Sequence, residues 1–284
     1  FLNLKEITDR KNLSANIIKP ILEYNGEAEE EITIDILASS VIFSDVIKID
    51  NDFAKMIDYL LKGNSLVCIP EENKYIIANT FNVARRNVNS PEIQSTLKGP
   101  RDSFTESIES NLSLIRYRIK DSSLKVKKMS VGQRSNTALA LIYIEDIVDP
   151  KLLKRAEEEL EDIVVDGVFE SGYIQKIMDK NRKRLFPDIG TVERSDTAAT
   201  SLIKGKICIL VEGSNLALVI PRTFFDFLDA GDDHYDNLFI AVSYKIVRFV
   251  AIILALTLSA LYVMVVSFHP DILPPQYILA LAST

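Results

Sequence analysis

Three stretches gather side chains that could do chemistry. Gly99-Pro100-Arg101-Asp102-Ser103 sets a guanidinium beside a carboxylate at a turn that opens a helical pattern. Backbone N–H groups at such a start, together with Arg101, could hold an anion; the same arginine could instead pair with a nearby carboxylate and lock the start of the helix. Thr191-Val192-Glu193-Arg194-Ser195-Asp196 puts two carboxylates around a second guanidinium just ahead of another helix. Glu193 and Asp196 have the types of an acid/base pair, but no nucleophile stands near them, so a structural ion-pair network is expected. The third stretch, Asp229 to Asp236, is rich in hard oxygen ligands. It lacks the alternate spacing and closing Glu of an EF-hand loop and reads as a solvated loop.

Other reactive groups are sparse. The chain of 284 residues has two histidines, His234 and His269, and two cysteines, Cys68 and Cys208, each inside an apolar run (LVCI and ICIL). That gives no zinc spacing and no disulfide framework, so buried reduced thiols are expected. Gly205-Lys206 is not a P-loop, because the glycine required five positions earlier is Thr200. No G-x-S-x-G elbow or H-E-x-x-H helix occurs. The expectation is a non-enzyme with no cofactor and no bound metal. The balance of 33 basic against 40 acidic residues, net −7, offers no concentrated cationic patch for a phosphate backbone, so nucleic acid is not an expected partner. Apolar residues at 47% against 26% charged exclude a disordered chain.

The elements that must position these residues are legible in the patterning. Asp50 to Asp52 can cap a helix with Phe53, Met56, Ile57, Leu60 and Leu61 at helical spacing and Gly63 as its stop. Leu66 to Ile69, a polar turn, and Tyr75 to Ala78 read as a hairpin; Ile32, Ile34 and Ile36 alternate as in a half-buried strand. Residues 82–98 are polar and irregular and mark a boundary. Beyond it, Ser103 and Glu106 are spaced as a capping box for a helix whose apolar face is Phe104, Ile108, Leu112, Ile115 and Ile119. Strands follow near 124–130 and 137–145, the second apolar on both faces as in a central strand. Asp149 and Pro150 start another helix, and a short one covers 173–180. Leu60-Leu61-Lys62-Gly63 recurs 142 positions later as Leu202-Ile203-Lys204-Gly205, each time with a hairpin after the glycine. This is either a repeat of two related α/β subdomains or ordinary C-cap chemistry.

Residues 249–268 carry no charge over twenty positions, enough helix to cross roughly 30 Å of hydrocarbon. Arg222, Lys245 and Arg248 precede the segment and no Lys or Arg follows it, which puts the N-terminal part in the cytoplasm. Ala251, Ala255 and Ser259 form a row of small residues expected to face protein, with Leu254, Leu258, Leu261 and Val265 mainly toward lipid. The expected fold class is therefore α/β. Two cytosolic α/β subdomains, 1–96 and 97–236, precede a membrane-entry segment, 237–284, that carries the first transmembrane helix of a polytopic domain, and the chain reads as a piece of a longer protein.

The strings GPRDSFTESIESNLSLIRYRIK, YIEDIVDP, FPDIGTVERSD, LIKGKICILVEGS and FHPDILPP resemble successive landmarks of the GerA-type spore germinant receptor A-subunit family, in order, over about residues 97–277. Residues 1–96 match more loosely. The family's strongest positions fall on Gly99, Pro100, Arg101, Asp102, Phe104, Glu106 and Asn111, then on Thr191, Glu193, Arg194 and Asp196, as structural or subunit-contact residues. Ser195 replaces the family's usual Pro, and His234 its more usual Tyr. The stage V AF-like sporulation membrane proteins share the plan but read nearer GARDGYTE, so the GPRDSFTE spelling favours the receptor. The resemblance implies an integral protein of the spore inner membrane that takes part in germinant-triggered ion release. Its implied partners are a germinant-binding B subunit, a lipoprotein C subunit and further copies of the A subunit. A membrane-anchored scaffold, or less readily a membrane-anchored enzyme, is the rival reading.

Overall fold

The computed structural model describes residues 1–24, 32–44, 47–82, 100, 102–181, 187–227 and 237–269. The chain divides into two compact units, Phe1–Ser95 with Pro100–Arg222, and Thr96–Gly99 with Thr223–Thr284. The first unit is mixed α/β and holds both sheets.

Its N-terminal part is helical. Helix α1 (Arg10–Asn12) runs through π turns at Leu13–Ile18 into α2 (Lys19–Glu23). Asp9 caps the run by accepting hydrogen bonds from the N–H groups of Lys11 and Asn12. Helix α3 (Ile34–Ile36) continues as π turns over Leu37–Val41. The strand expected at 32–36 is therefore corrected to a helix. Thr33 caps it through a hydrogen bond from the Ile36 N–H, and Ile34, Leu37 and Val41 are buried while Ile32 is exposed. The spacing i, i+3, i+7 is one helical stripe, and it overrides the shorter alternation of isoleucines.

Strands β1 (Ile47–Asp50), β2 (Asn64–Cys68) and β3 (Tyr75–Asn79) form an antiparallel sheet in the order β1-β3-β2. Between β1 and β2 a 3-10 turn, Phe53–Lys55, leads into helix α4 (Met56–Leu61), capped by Asp52, which accepts from the Ala54 N–H at 3.1 Å. The helix stops at Gly63, whose φ of +86° suits a residue without a Cβ. One face of the sheet, with Val67, Ile76 and Ala78, packs against Leu13, Ile17, Ile34 and Leu37. The other, with Leu66, Tyr75, Ile77 and Cys68, packs against Met56, Tyr59 and Leu60, and the Phe53 ring lies 5.6 Å from that of Tyr75.

Helix α5 (Ile108–Arg118) opens the second part. Strands β4 (Leu124–Val131) and β5 (Thr137–Ile144) form a hairpin, followed by α6 (Pro150–Glu161), α7 (Ser171–Asn181), β6 (Gly190–Val192), α8 (Ser195–Ile203), β7 (Ile207–Val211) and β8 (Ala217–Ile220). The strand order is β4-β5-β7-β8-β6, antiparallel throughout, so the strand expected to be central, β5, lies between β4 and β7. Asp149 and Pro150 start α6, with the Asp149 carboxylate accepting from the Lys151 N–H at 2.9 Å. Helices α5 and α8 cover one face of the sheet. Ala156, Leu160, Ile174 and Met178 of α6 and α7 cover the other.

The four-residue echo seen in the sequence is the visible part of a longer correspondence. β1-α4-β2-β3 and β6-α8-β7-β8 share one connectivity and one strand order, first-third-second. Lys48↔Ile77, Ile49↔Ile76 and Leu66↔Ile77 in the first sheet become Gly190↔Val219, Thr191↔Leu218 and Cys208↔Val219 in the second, each residue 142 positions on. The cap positions Asp52 and Arg194 and the left-handed glycines Gly63 and Gly205 correspond at the same offset. In both units the glycine N–H donates to the leucine carbonyl three residues back at 2.9 Å.

The second unit contains a short 3-10 turn, Phe224–Phe227, and helix α9 (Leu238–Val263), extended by π turns at Met264–Phe268. The whole helical run is 31 residues with a mean hydropathy of 2.7 in its most apolar window, which makes it long and apolar enough to cross a membrane. At 1.5 Å per residue it is about 46 Å long.

Candidate functional site

The two motif turns meet. Ser103 and Arg194 form an antiparallel bridge, and the Phe104 N–H donates to the Glu193 carbonyl at 2.8 Å. This pairing explains why the helix expected to begin at Ser103 begins later. The capping box proposed for Ser103 and Glu106 is corrected: Ser103 is spent on an extended pairing, and Ser107 caps α5 by accepting from the Ser110 N–H. Phe104, buried ahead of the helix, still joins the core with Ile108, Leu112 and Ile115.

Asn111 holds the extended stretch against the helix. Its Oδ1 accepts from the Thr105 N–H at 2.7 Å and its Nδ2 donates to the Thr105 carbonyl at 2.6 Å, both inside a fully buried residue. One amide side chain thus satisfies the main-chain donor and acceptor of a residue outside any regular element. Glu106 lends its carbonyl to the Gly213 N–H at 2.8 Å, and the Glu212 carboxylate accepts from the Ile108 N–H at 2.9 Å. A carboxylate at the first turn of α5 also suits the positive end of its dipole.

In the second turn, Thr191 lies in β6 opposite Leu218. Arg194 is fully buried and grips Asp196 with two hydrogen bonds, Nε to Oδ1 at 2.9 Å and Nη2 to Oδ2. Glu193 is buried beside it, and both residues make further interactions. Arg118, on α5, is one charged link between the turns: its Nη2 donates to Asp102 Oδ2 at 2.8 Å and its Nε to Ser195 Oγ at 2.8 Å. Arg118 was not singled out from the sequence. Its one signal is a guanidinium three residues past Ile115, on the rim of an apolar stripe, where it can reach a neighbouring helix.

Glu106 also borders a polar cleft of about 1470 Å³ lined by Ser107, Ser110, Lys128, Thr137, Glu212 and the N-terminal Arg10. It offers hydroxyls and charges of both signs. Nearby, burial lowers the pKa of Arg116, and a coulombic pull from Glu6 opposes it; the Arg116 Nε is buried without a hydrogen-bond partner among the described residues. Burial pushes the Cys208 thiol up to about 12, so it is inert at neutral pH. Among the described residues, no group of three or more His, Cys, Asp and Glu is placed to hold a metal ion. Pro100 is half-buried. Gly99, Arg101, the Asp229–Asp236 loop with His234, and positions beyond 269 lie outside the described residues. Ala251, Ala255 and Ser259 share a face of α9 by their spacing, and all three are exposed.

Among the described residues, Asn111, Glu193, Arg194 and Asp196, with Asp102 and Arg118 at the rim, form a polar clasp that ties the start of α8 to the approach to α5.

The family described as Bacillus/Clostridium GerA spore germination protein matches residues 1–284. Spore germination protein KA of Bacillus subtilis (strain 168) is 31% identical over 98% of this chain and 51% of its own length. Spore germination protein GerLA of Bacillus cereus is 31% identical over 97% of this chain and 56% of its own. The crystal structure of the N-terminal domain of the A subunit of the Bacillus megaterium spore germinant receptor GerK3 aligns with a TM-score of 0.48 and 24% identity, covering 68% of this chain and 74% of that one. The chain spans about half the length of the curated relatives it matches.

Proposed function

We propose, from the premise that the chain belongs to the Bacillus/Clostridium GerA spore germination protein family, that it is part of the A subunit of a nutrient germinant receptor in the spore inner membrane. The observation that carries the reading is the family match over residues 1–284, which takes in both sheet units, the clasp and the apolar helix. In this reading α9 anchors the protein, the two-sheet unit is cytoplasmic, and the role is non-catalytic. The subunit works with a germinant-binding B subunit, a lipoprotein C subunit and further A subunits, and takes part in the ion release that nutrient triggers.

The clasp suits that role. The main-chain pairing of Ser103 with Arg194, the Phe104–Glu193 hydrogen bond and Arg118, bonded to both Asp102 and Ser195, join the two turns, so displacement of one carries the other with it. The test uses spores deleted for the full-length gene and the same spores complemented with it. Nutrient-triggered fall in optical density and release of monovalent cations should be lost in the deletion and return on complementation. Unchanged germination with every tested nutrient would overturn the proposal. Complementation by an Arg194→Ala variant present at normal abundance would remove the clasp from the account.

A further inference from the structure

The apolar surface of the second unit starts well before its uncharged stretch at 249–268. In the 3-10 turn Phe225 is 73% and Phe224 42% exposed, and Phe239, in the first turn of α9, is 82% exposed. The 3-10 turn is a self-contained wedge. Its Phe224 and Phe225 rings meet edge to face with centroids 6.1 Å apart. Asp226 folds back on the start of the turn, its carboxylate accepting from the Thr223 N–H and, at 2.8 Å, from the Thr223 hydroxyl. The one charge of Phe224–Phe227 is thus engaged within the turn, and its most exposed group is the Phe225 ring.

We infer that Phe225 seats at the boundary between headgroups and acyl chains in the leaflet that α9 enters, so that the turn and the start of α9 form one interfacial anchor. The inference rests on the membrane reading above. Three observations make lipid the occupant. The turn belongs to the same compact unit as α9 and not to the unit that holds the sheets. The link is also short enough: Phe227 to Leu238 is eleven peptide steps, about 38 Å at full extension. Residues 238–248 stand about 16 Å along the helix ahead of the uncharged stretch, so the turn can reach the hydrocarbon boundary. Last, Phe239, Tyr244, Lys245, Arg248 and Phe249 interleave rings and cations as segments at a membrane surface do, the cations keeping their heads in water. The attraction is burial of the rings rather than charge, because Asp229, Asp232, Asp233 and Asp236 lie between the turn and α9 and disfavour anionic headgroups.

The experiment places single tryptophans in the full-length protein reconstituted in phosphatidylcholine vesicles. The 284 residues contain no tryptophan, and any elsewhere in the protein is changed to Phe. Phe225→Trp reports the turn, Leu258→Trp the middle of the uncharged stretch, and Val164→Trp, at a position 75% exposed on the sheet unit, is the aqueous control. Lipid brominated near the headgroup end of its chains should quench Phe225→Trp about threefold more than Val164→Trp, and aqueous iodide should rank the two in the opposite order. Lipid brominated deep in its chains should quench Leu258→Trp most. If Phe225→Trp does not accumulate, Phe224→Trp carries the same readout. Iodide quenching of the turn equal to that of Val164→Trp overturns the inference, and so does shielding from both iodide and bromolipid, which means that protein covers the ring. In either case a lipid-quenched Leu258→Trp leaves the membrane reading standing, whereas a Leu258→Trp open to iodide overturns both.

Discussion

The β1-α4-β2-β3 and β6-α8-β7-β8 units share register residue for residue, yet they are held together differently. In the first, the helix starts on Asp52, a carboxylate at the surface that accepts one main-chain hydrogen bond and pairs with Lys55 at 2.9 Å. In the second, the same position is Arg194, fully buried and locked to Asp196. The reason is α5, which covers α8 and removes the cap position from water. Once water is gone, a capping side chain must find its partners in the protein. One backbone plan therefore carries a solvated cap in one unit and a buried charge clasp in the other, and the Thr191–Asp196 stretch singled out in the sequence falls on the second.

The comparison breaks most sharply at the cap. Arg194→Ala removes the bidentate pair with Asp196 at a largely buried site and should cost about 3 kcal/mol, whereas Asp52→Ala loses an exposed cap worth about 1 kcal/mol. Hydrogen exchange of β7–β8 and of β2–β3 in the detergent-solubilised chain reads the two separately. Equal losses would mean that burial does not set the difference. Arg118→Ala removes the hydrogen bond to Ser195 and the pair with Asp102. Because those ion-paired side chains are 18% and 37% exposed, the expected loss is smaller, about 1.5 kcal/mol, and should appear in α5 and α8.

The glycines sharpen the comparison further. Gly63→Ala and Gly205→Ala each place a side chain at positive φ and should each cost about 1 kcal/mol. Gly205→Ala should cost slightly more, since its Cβ would sit 3.0 Å from the Ile147 carbonyl, a main-chain atom, whereas at Gly63 the obstacle is the Phe81 ring, which can turn. Thermal midpoints of the two variants rank them. The thiols give the smallest effect. Cys68 is partly exposed and should react with a maleimide in the folded chain, while Cys208 should react only on unfolding. The unfolded Cys208 thiol ionises near its ordinary value of 9.0 and the folded one at about 12, so the folded state keeps the proton in between. Stability should fall as pH rises through that window, and Cys208→Ala should flatten the slope.

Much of this plan was legible in the residues. The helix after Asp52, the hairpins following Gly63 and Gly205, the β4–β5 pair and the Asp149-Pro150 start each rest on local rules, so local patterning sufficed. What escaped depends on partners distant in the chain. Ser103 looks like a cap until Arg194 claims its main chain, 91 positions on. Glu212 reaches Ile108 across 104 positions with nothing in either neighbourhood to announce it. The alternation at 32–36 failed because three isoleucines satisfy two periods over so short a stretch. The apolar helix was placed at 249–268 because hydropathy stops at Lys245 and Arg248, whereas the helix runs from Leu238, its backbone hydrogen bonds being indifferent to side-chain charge.

Leu2 exchanges two main-chain hydrogen bonds with Leu66, each of 2.9 Å, and so covers the outer side of β2 where β5 supplies a whole strand to β7. Two bonds from one residue are a thin guard on a row of unpaired peptide groups. If Leu2 is held away from β2, Asn64–Cys68 becomes an open template for another chain's strand. The residues around Leu2 thus act as a solubility device, and Leu2→Pro, which removes the N–H that donates to Leu66, should raise the propensity to aggregate.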